Sequence, residues 1–180
     1  QIELEVFLDL CCPFSAKMFA TLEEVAPAME ATHPGRIQWK VMYVPQPWHA
    51  QSSYMHEVVM AVTMIDPSKT VQVTGALFKA QREFFDDKTM DKSRMQIYNE
   101  LADIAATVGV EKAAILEKLQ LTGTGNSGSA VTHMLKFYVK YHRARSVHVT
   151  PTVHLNGLEA SAIESSFTFE QWHEFLGGRL

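Results

Sequence analysis

"FLDLCCPFSAKMF", Phe7 to Phe19, holds both cysteines of the 180-residue chain as neighbours, Cys11 and Cys12. Upstream, Ile2, Leu4, Val6 and Leu8 alternate with Glu3 and Glu5, the period-two pattern of a strand with one buried face. Downstream, Phe14, Met18, Leu22, Val25 and Met29 recur at helical spacing, which predicts a helix with one apolar stripe. Pro13 falls at the first helical position, where the N–H that proline lacks would have no partner anyway. The cysteines therefore sit where a strand hands over to a helix. "THPGR" closes that helix, and Ile37, Trp39, Val41 and Tyr43 alternate through a second strand. Strand, helix and strand in this order imply parallel pairing and an α/β fold.

From Ser52 to Arg143 the periodicity is helical, broken by "IDPSK", "FFDDKTMDKS", Gly109 and "TGTGNSGS", and it predicts about five helices. Strand character returns in "TPTVHLNGLEASAI", where Asn156-Gly157 reads as a two-residue hairpin turn because both residues tolerate positive φ. Thr168 and Gln171 stand at capping-box spacing ahead of Trp172, Phe175 and Leu176, so a docked helix ends the chain. The expected division is an α/β domain formed by 1–48 and 147–180, with 49–146 as a helical subdomain inserted into it.

A hydrophobic content of 47% is enough for a well-filled core. No run nears the roughly 18 apolar residues of a membrane-spanning helix, and the start lacks a basic-then-apolar leader, so no membrane partner is expected. Mixed signs and a formal charge of −4 argue against nucleic acid as a partner, since that affinity comes from clustered basic surface. "KYHRAR", around Arg143, reads as a solvated helix end whose cations suit the C-terminal dipole. Adjacent cysteines cannot build a disulfide framework, which leans toward a reducing, cytoplasmic setting while leaving localisation open. Gln1 in place of Met points to something removed upstream. His49, His56, His142, His148 and His154 show no ligand spacing with acids or cysteines, so no metal site is expected. "TGTGNSGS" lacks the lysine and preceding strand of a phosphate loop and reads as a connector. The methionines mostly fall at helical spacing and read as core filler.

Three stretches, "LDLCCPFSAKMF", "PQPWH" and "VHVTPTVHLNG", occur in an order that resembles the DsbA-like thioredoxin-fold proteins, and within them a Cys-Pro-x-Ser variant with one thiol. The resemblance implies an α/β, thioredoxin-like fold with a central helical insertion. It also implies that Cys12 is the exposed nucleophile, that Pro151 is a cis-proline facing it, and that Thr150 presents backbone groups to an extended substrate. Pro13 and Phe14 then shape the helix start, Ser15 occupies the position of the resolving cysteine, and Trp48 and His49 of "PQPWH" lie near the same end of the sheet. From the residues alone, Trp48 and His49 read first as packing residues.

The chemistry expected of Cys12 is electrostatic. A thiol at a helix start faces unpaired amides and the positive end of the dipole, which favours the thiolate. A free thiol with a pKa of about 8.5 is only about 3% ionised at neutral pH. The dipole alone contributes about 0.3–1 kcal/mol, short of the roughly 2.7 kcal/mol that a two-unit shift represents, so hydrogen bonds in the turn are needed, with the Ser15 hydroxyl as the candidate. Without a second thiol at Ser15 a mixed disulfide has to be resolved from outside, which gives an oxidoreductase-like protein with thiol or disulfide substrates, peptide or glutathione, and no bound cofactor beyond glutathione as co-substrate. Cys11 reads as a small buried hydrophobe, with a strained vicinal disulfide to Cys12 as the alternative. Two rivals remain. One is an enzyme similar to kappa-type glutathione transferases or hydroxychromene-carboxylate isomerases, in which a serine at the helix start activates glutathione. The other is a peptide- or protein-binding module without turnover. Oligomeric state is left open.

Overall fold

The computed structural model describes all 180 residues. Its sheet has four strands, β1 (Ile2–Leu8), β2 (Ile37–Tyr43), β3 (Thr152–Leu155) and β4 (Leu158–Glu159), in the spatial order β2-β1-β3-β4. β1 pairs parallel with β2 and antiparallel with β3, and β3 turns back to β4 through Asn156 and Gly157, both at positive φ. α1 (Pro13–Thr32) links the parallel pair, and α8 (Phe169–Gly177), started by the Thr168–Gln171 capping box, packs beside α1. This is the thioredoxin-like α/β architecture.

Between β2 and β3 run α2 (Ser52–Ile65), α3 (Thr70–Ala80), α4 (Asp86–Thr89), α5 (Arg94–Ala106), α6 (Lys112–Leu119) and α7 (Thr132–Ala144). That is six helices where the periodicity suggested about five. The additional one, α4, is a single turn, too short to leave a periodic trace in the sequence. Leu4, Val6 and Leu8 of β1 belong to the same hydrophobic cluster as Met18 and Val25 of α1, Val58 and Val62 of α2, Leu101 of α5 and Trp172 of α8. The inserted helices thus share one continuous core with the sheet.

The expectation that β1 buries one face is corrected: Glu5 and Phe7, on the opposite face, are as completely buried as Leu4 and Leu8. β1 is a central strand, and α7 covers its second face, where Phe7, Met42, Val44 and Val147 form a separate cluster with Tyr138 and Tyr141. A buried carboxylate needs compensation. Glu5 obtains it from the Tyr141 hydroxyl and from Arg145, whose Nη1 donates to Glu5 Oε2 at 3.2 Å. The basic patch is therefore not wholly a solvated helix end, since Arg145 is committed to the sheet. Burial, with the Glu5 hydrogen bond and charge beside it, pushes the Tyr141 phenol up to about 12.

Strand register brings the distant segments together. Leu8 pairs with Tyr43, and Phe7 with both Met42 and Thr152, so the Cys11–Cys12 turn, the "PQPWH" segment and the proline loop all leave or enter the sheet at one end.

Candidate active site

Cys12 is the N-cap of α1 in extended conformation (φ −82°, ψ 120°), and its carbonyl accepts the first helical bond, from the Ala16 amide at 3.1 Å. Pro13 follows at the first helical position. The amides of Phe14 and Ser15 have no hydrogen-bond partner in the protein, and no acidic side chain lies in the first turn. The Thr150–Pro151 peptide bond is cis, and Cys12 Sγ donates to the Thr150 carbonyl at 3.4 Å. The Thr150 amide is without a partner. Residues 138 positions apart in sequence are thus in direct contact, and that contact sets the sulfur against the proline loop.

Two expectations for this turn are corrected. Cys12 is only 6% exposed, because the proline loop lies against its sulfur; it is not an openly exposed thiol. The Ser15 hydroxyl does not hydrogen-bond to Cys12. Ser15 is fully buried, and its Oγ accepts from the Asp9 amide at 3.2 Å, because the helical direction carries it back beneath the turn. Phe14, included in the apolar stripe, is instead 62% exposed: the first turn of α1 projects past the edge of the core. Both cysteines are free thiols, so the vicinal bridge is absent.

Sequence reasoning missed the residue that organises the turn, Asp9. Its carbonyl accepts from the Cys12 amide at 3.0 Å and its amide donates to Ser15. Its carboxylate, fully buried, accepts from the Cys11 amide at 3.0 Å, from the Ser52 hydroxyl at 2.5 Å and, through Oδ2, pairs with His49 Nδ1 at 2.6 Å. Gln46 was missed as well. Its Nε2 donates to the His148 carbonyl at 3.2 Å, so "PQPWH" holds the proline loop with Gln46 and the cysteine turn with His49. From the inserted helices, Gln81 Nε2 donates to the Leu10 carbonyl at 2.9 Å and reaches the Cys12 carbonyl at 3.4 Å. A lone Asp or Gln carries no periodic or motif signal. The one available hint was a charged residue, Asp9, inside an otherwise apolar approach to a helix start.

Trp48 is 61% exposed, with its ring edge against His49, and contributes nothing to the core. With Phe14 and Val149 it places an exposed apolar side chain on each of the three segments that meet at the site. Cys11 turns the other way, toward the inserted helices. Gln51 Nε2 donates to its Sγ at 3.0 Å, and its thiol lies 3.9 Å from the Phe84 carbonyl. Burial, then the nearby Asp9 carboxylate, pushes the Cys11 thiol up to about 12. His56, beneath Ser52, is completely buried and pushed below the usual histidine range by desolvation. No three His, Cys, Asp or Glu side chains come together in a metal-holding arrangement.

No family model matches the chain, and no curated protein matches it. Among solved structures it is similar to a candidate protein-disulfide isomerase from Pseudomonas syringae, at 22% identity and a TM-score of 0.79 over 98% of this chain and 93% of that one. It is also similar to MdbA, a thiol-disulfide oxidoreductase from Actinomyces oris, at 17% identity and a TM-score of 0.72 over 98% and 80% of the two chains. A third is the thiol-disulfide exchange protein alpha-DsbA2 from Wolbachia pipientis, at 14% identity and a TM-score of 0.70 over 100% and 82%. The fold is that of the DsbA-like thioredoxin-fold proteins.

Proposed function

We propose that the protein is a thiol-disulfide oxidoreductase in which Cys12 is the single nucleophile. The observation that carries this reading is the placement of Cys12 Sγ at the mouth of α1, 3.4 Å from the carbonyl that precedes a cis-proline. The fold shared with two proteins described as acting on thiols and disulfides supports it.

Cys12 Sγ donates to the Thr150 carbonyl at the mouth of a helix whose Phe14 and Ser15 amides are unpaired, and the Cys12 anion serves as the nucleophile. The anion attacks one sulfur of a disulfide RS–SR′. A bond forms between Cys12 and the R sulfur, the original S–S bond breaks, and R′S⁻ leaves with the electron pair and takes a proton from water. The free Thr150 N–H, beside Pro151, is suited to pair with the backbone of an extended substrate, and Phe14, Trp48 and Val149 to cover its side chains. Ser15 cannot resolve the mixed disulfide, and Cys11, at about 12, is ionised to about one part in 100,000 at pH 7. An external thiolate therefore attacks the mixed disulfide, with glutathione as the co-substrate, forms R–S–S–G and returns Cys12 as thiolate.

The transferase reading needs Ser15 at the sulfur of a bound glutathione. Its burial and its bond to Asp9 weigh against that role. Intact mass after incubation with oxidised glutathione tests the proposal: one adduct is expected, located at Cys12 and absent from Cys12→Ser. A protein that stays unmodified at neutral pH overturns the proposal. Conjugation of glutathione to an electrophile that survives Cys12→Ser and disappears in Ser15→Ala replaces it with the transferase reading.

A further inference from the structure

Two open clefts beside the site share Gln51, Asp86 and Asp87. The first, of about 370 Å³, begins at Cys11 and Pro13 and reaches Asp86 and Asp87; the second, of about 520 Å³, continues from those carboxylates to Tyr54 and Met90. Gln51 lines both. It is 3% exposed, its Nε2 is committed to Cys11 Sγ, and its Oε1 has no hydrogen-bond partner. A buried carbonyl oxygen without a donor is costly, and its residue lines both clefts together with Asp86 and Asp87. Asp86 has no ion pair, whereas Asp87 carries one exposed contact with Lys88 at 2.9 Å. Lys92, farther along the second cleft, is tied to Glu100 at 2.5 Å. The unmet demand in this trough is thus for a positively charged donor. No group of three metal-ligating side chains forms here, which favours an organic cation over a metal ion. Met90, 80% exposed, and Tyr54 offer apolar wall to the methylene stem of such a side chain.

We propose that this trough, from Pro13 past Gln51 to Met90, is a subsite for a lysine or arginine side chain of the disulfide-bearing peptide on which Cys12 acts. The proposal rests on the thiol-disulfide reading above and narrows its substrate: a cationic peptide disulfide is favoured over an acidic one, and over oxidised glutathione with its four carboxylates.

The test compares two peptides that differ only in carrying Lys or Glu next to a cysteine, each linked by a disulfide to a chromogenic thiol. Release of that thiol by the wild-type protein is expected to be faster for the Lys peptide by about tenfold at low ionic strength. Asp86→Asn with Asp87→Asn is expected to bring the ratio toward one, and so is Gln51→Met, with circular dichroism reporting that each variant is folded. Equal rates for the two peptides overturn the subsite. So does a preference that survives the aspartate pair, or one that survives Gln51→Met unchanged, which would mean surface attraction only. Binding of the reduced Lys peptide to Cys12→Ser, followed by fluorescence anisotropy, separates the two proposals. If neither disulfide reacts, the thiol-disulfide reading fails, while binding that is lost on Asp86→Asn with Asp87→Asn and on Gln51→Met still upholds the cation subsite. Absence of that binding overturns it.

Discussion

Cys11 and Cys12 share a peptide bond, yet their sulfurs lie in opposite surroundings. Cys11 faces the inserted helices, with an amide N–H of Gln51 on its sulfur, the Phe84 carbonyl nearby and the Asp9 carboxylate close enough to oppose ionisation. Cys12 caps a helix whose first amides are free, and touches a backbone carbonyl of the proline loop. The turn between β1 and α1 sends successive side chains to opposite sides. One thiol is thereby sealed into the seam between sheet and insertion, and the other is kept at the junction of three loops. Under the proposed function, what separates the two thiols is which way each side chain leaves the turn, since the residue type is the same in both places.

The sharpest way to break this comparison is Cys12→Ser. All adduct formation with oxidised glutathione should be lost, read by intact mass, and an adduct that moves to Cys11 would show that the two surroundings are not different in the way described. Next in size is Asp9→Ala, which leaves the Cys11 amide, Ser52 and His49 without their buried acceptor. A loss of about 3 kcal/mol in urea denaturation is expected, together with slower alkylation of Cys12, because the turn is no longer pinned. Cys11→Ala should cost about 1–2 kcal/mol through the lost sulfur packing and the unpaired Gln51 donor, while a single adduct still forms on Cys12. Loss of the adduct in that variant would make Cys11 part of the chemistry.

The smallest expected effect is a pH dependence from the buried side of the site. Burial holds His56 and His142 below the usual histidine range in the folded protein. The unfolded chain binds protons at these imidazoles from about pH 6.5 downward while the folded chain does not, so stability falls as pH falls below that value. Thermal midpoints taken from about pH 7.5 down to about pH 5 should decline, and His56→Gln should flatten the slope. A slope unchanged by that substitution would remove His56 from the account.

Much of the architecture was legible in the sequence because it depends on near neighbours. Alternation at Ile37–Tyr43, the Asn156-Gly157 turn and the Thr168–Gln171 capping box are local statements, and each appears in the structure where its pattern lies. The expectations that failed depend on what covers a residue. Glu5 looked solvent-facing until α7 closed over it, Phe14 looked buried until its turn projected past the core, and Ser15 looked like a partner for Cys12 until the helix carried it under Asp9. The short helix α4 escaped because four residues hold no period, although its aspartates wall the trough beside the site.

By itself, the order of residues determined a strand, a proline-started helix, a parallel partner strand and a closing hairpin, since hydrophobic period, turn chemistry and capping act over a few positions. Only the tertiary structure decided that Asp9 would meet His49, that Cys12 would lie against Thr150 and that Gln51 would be left with an unmatched oxygen. These contacts join segments 40 to 138 residues apart, and their geometry is set by strand register and by how the inserted helices close on the sheet, quantities that no short stretch of sequence encodes.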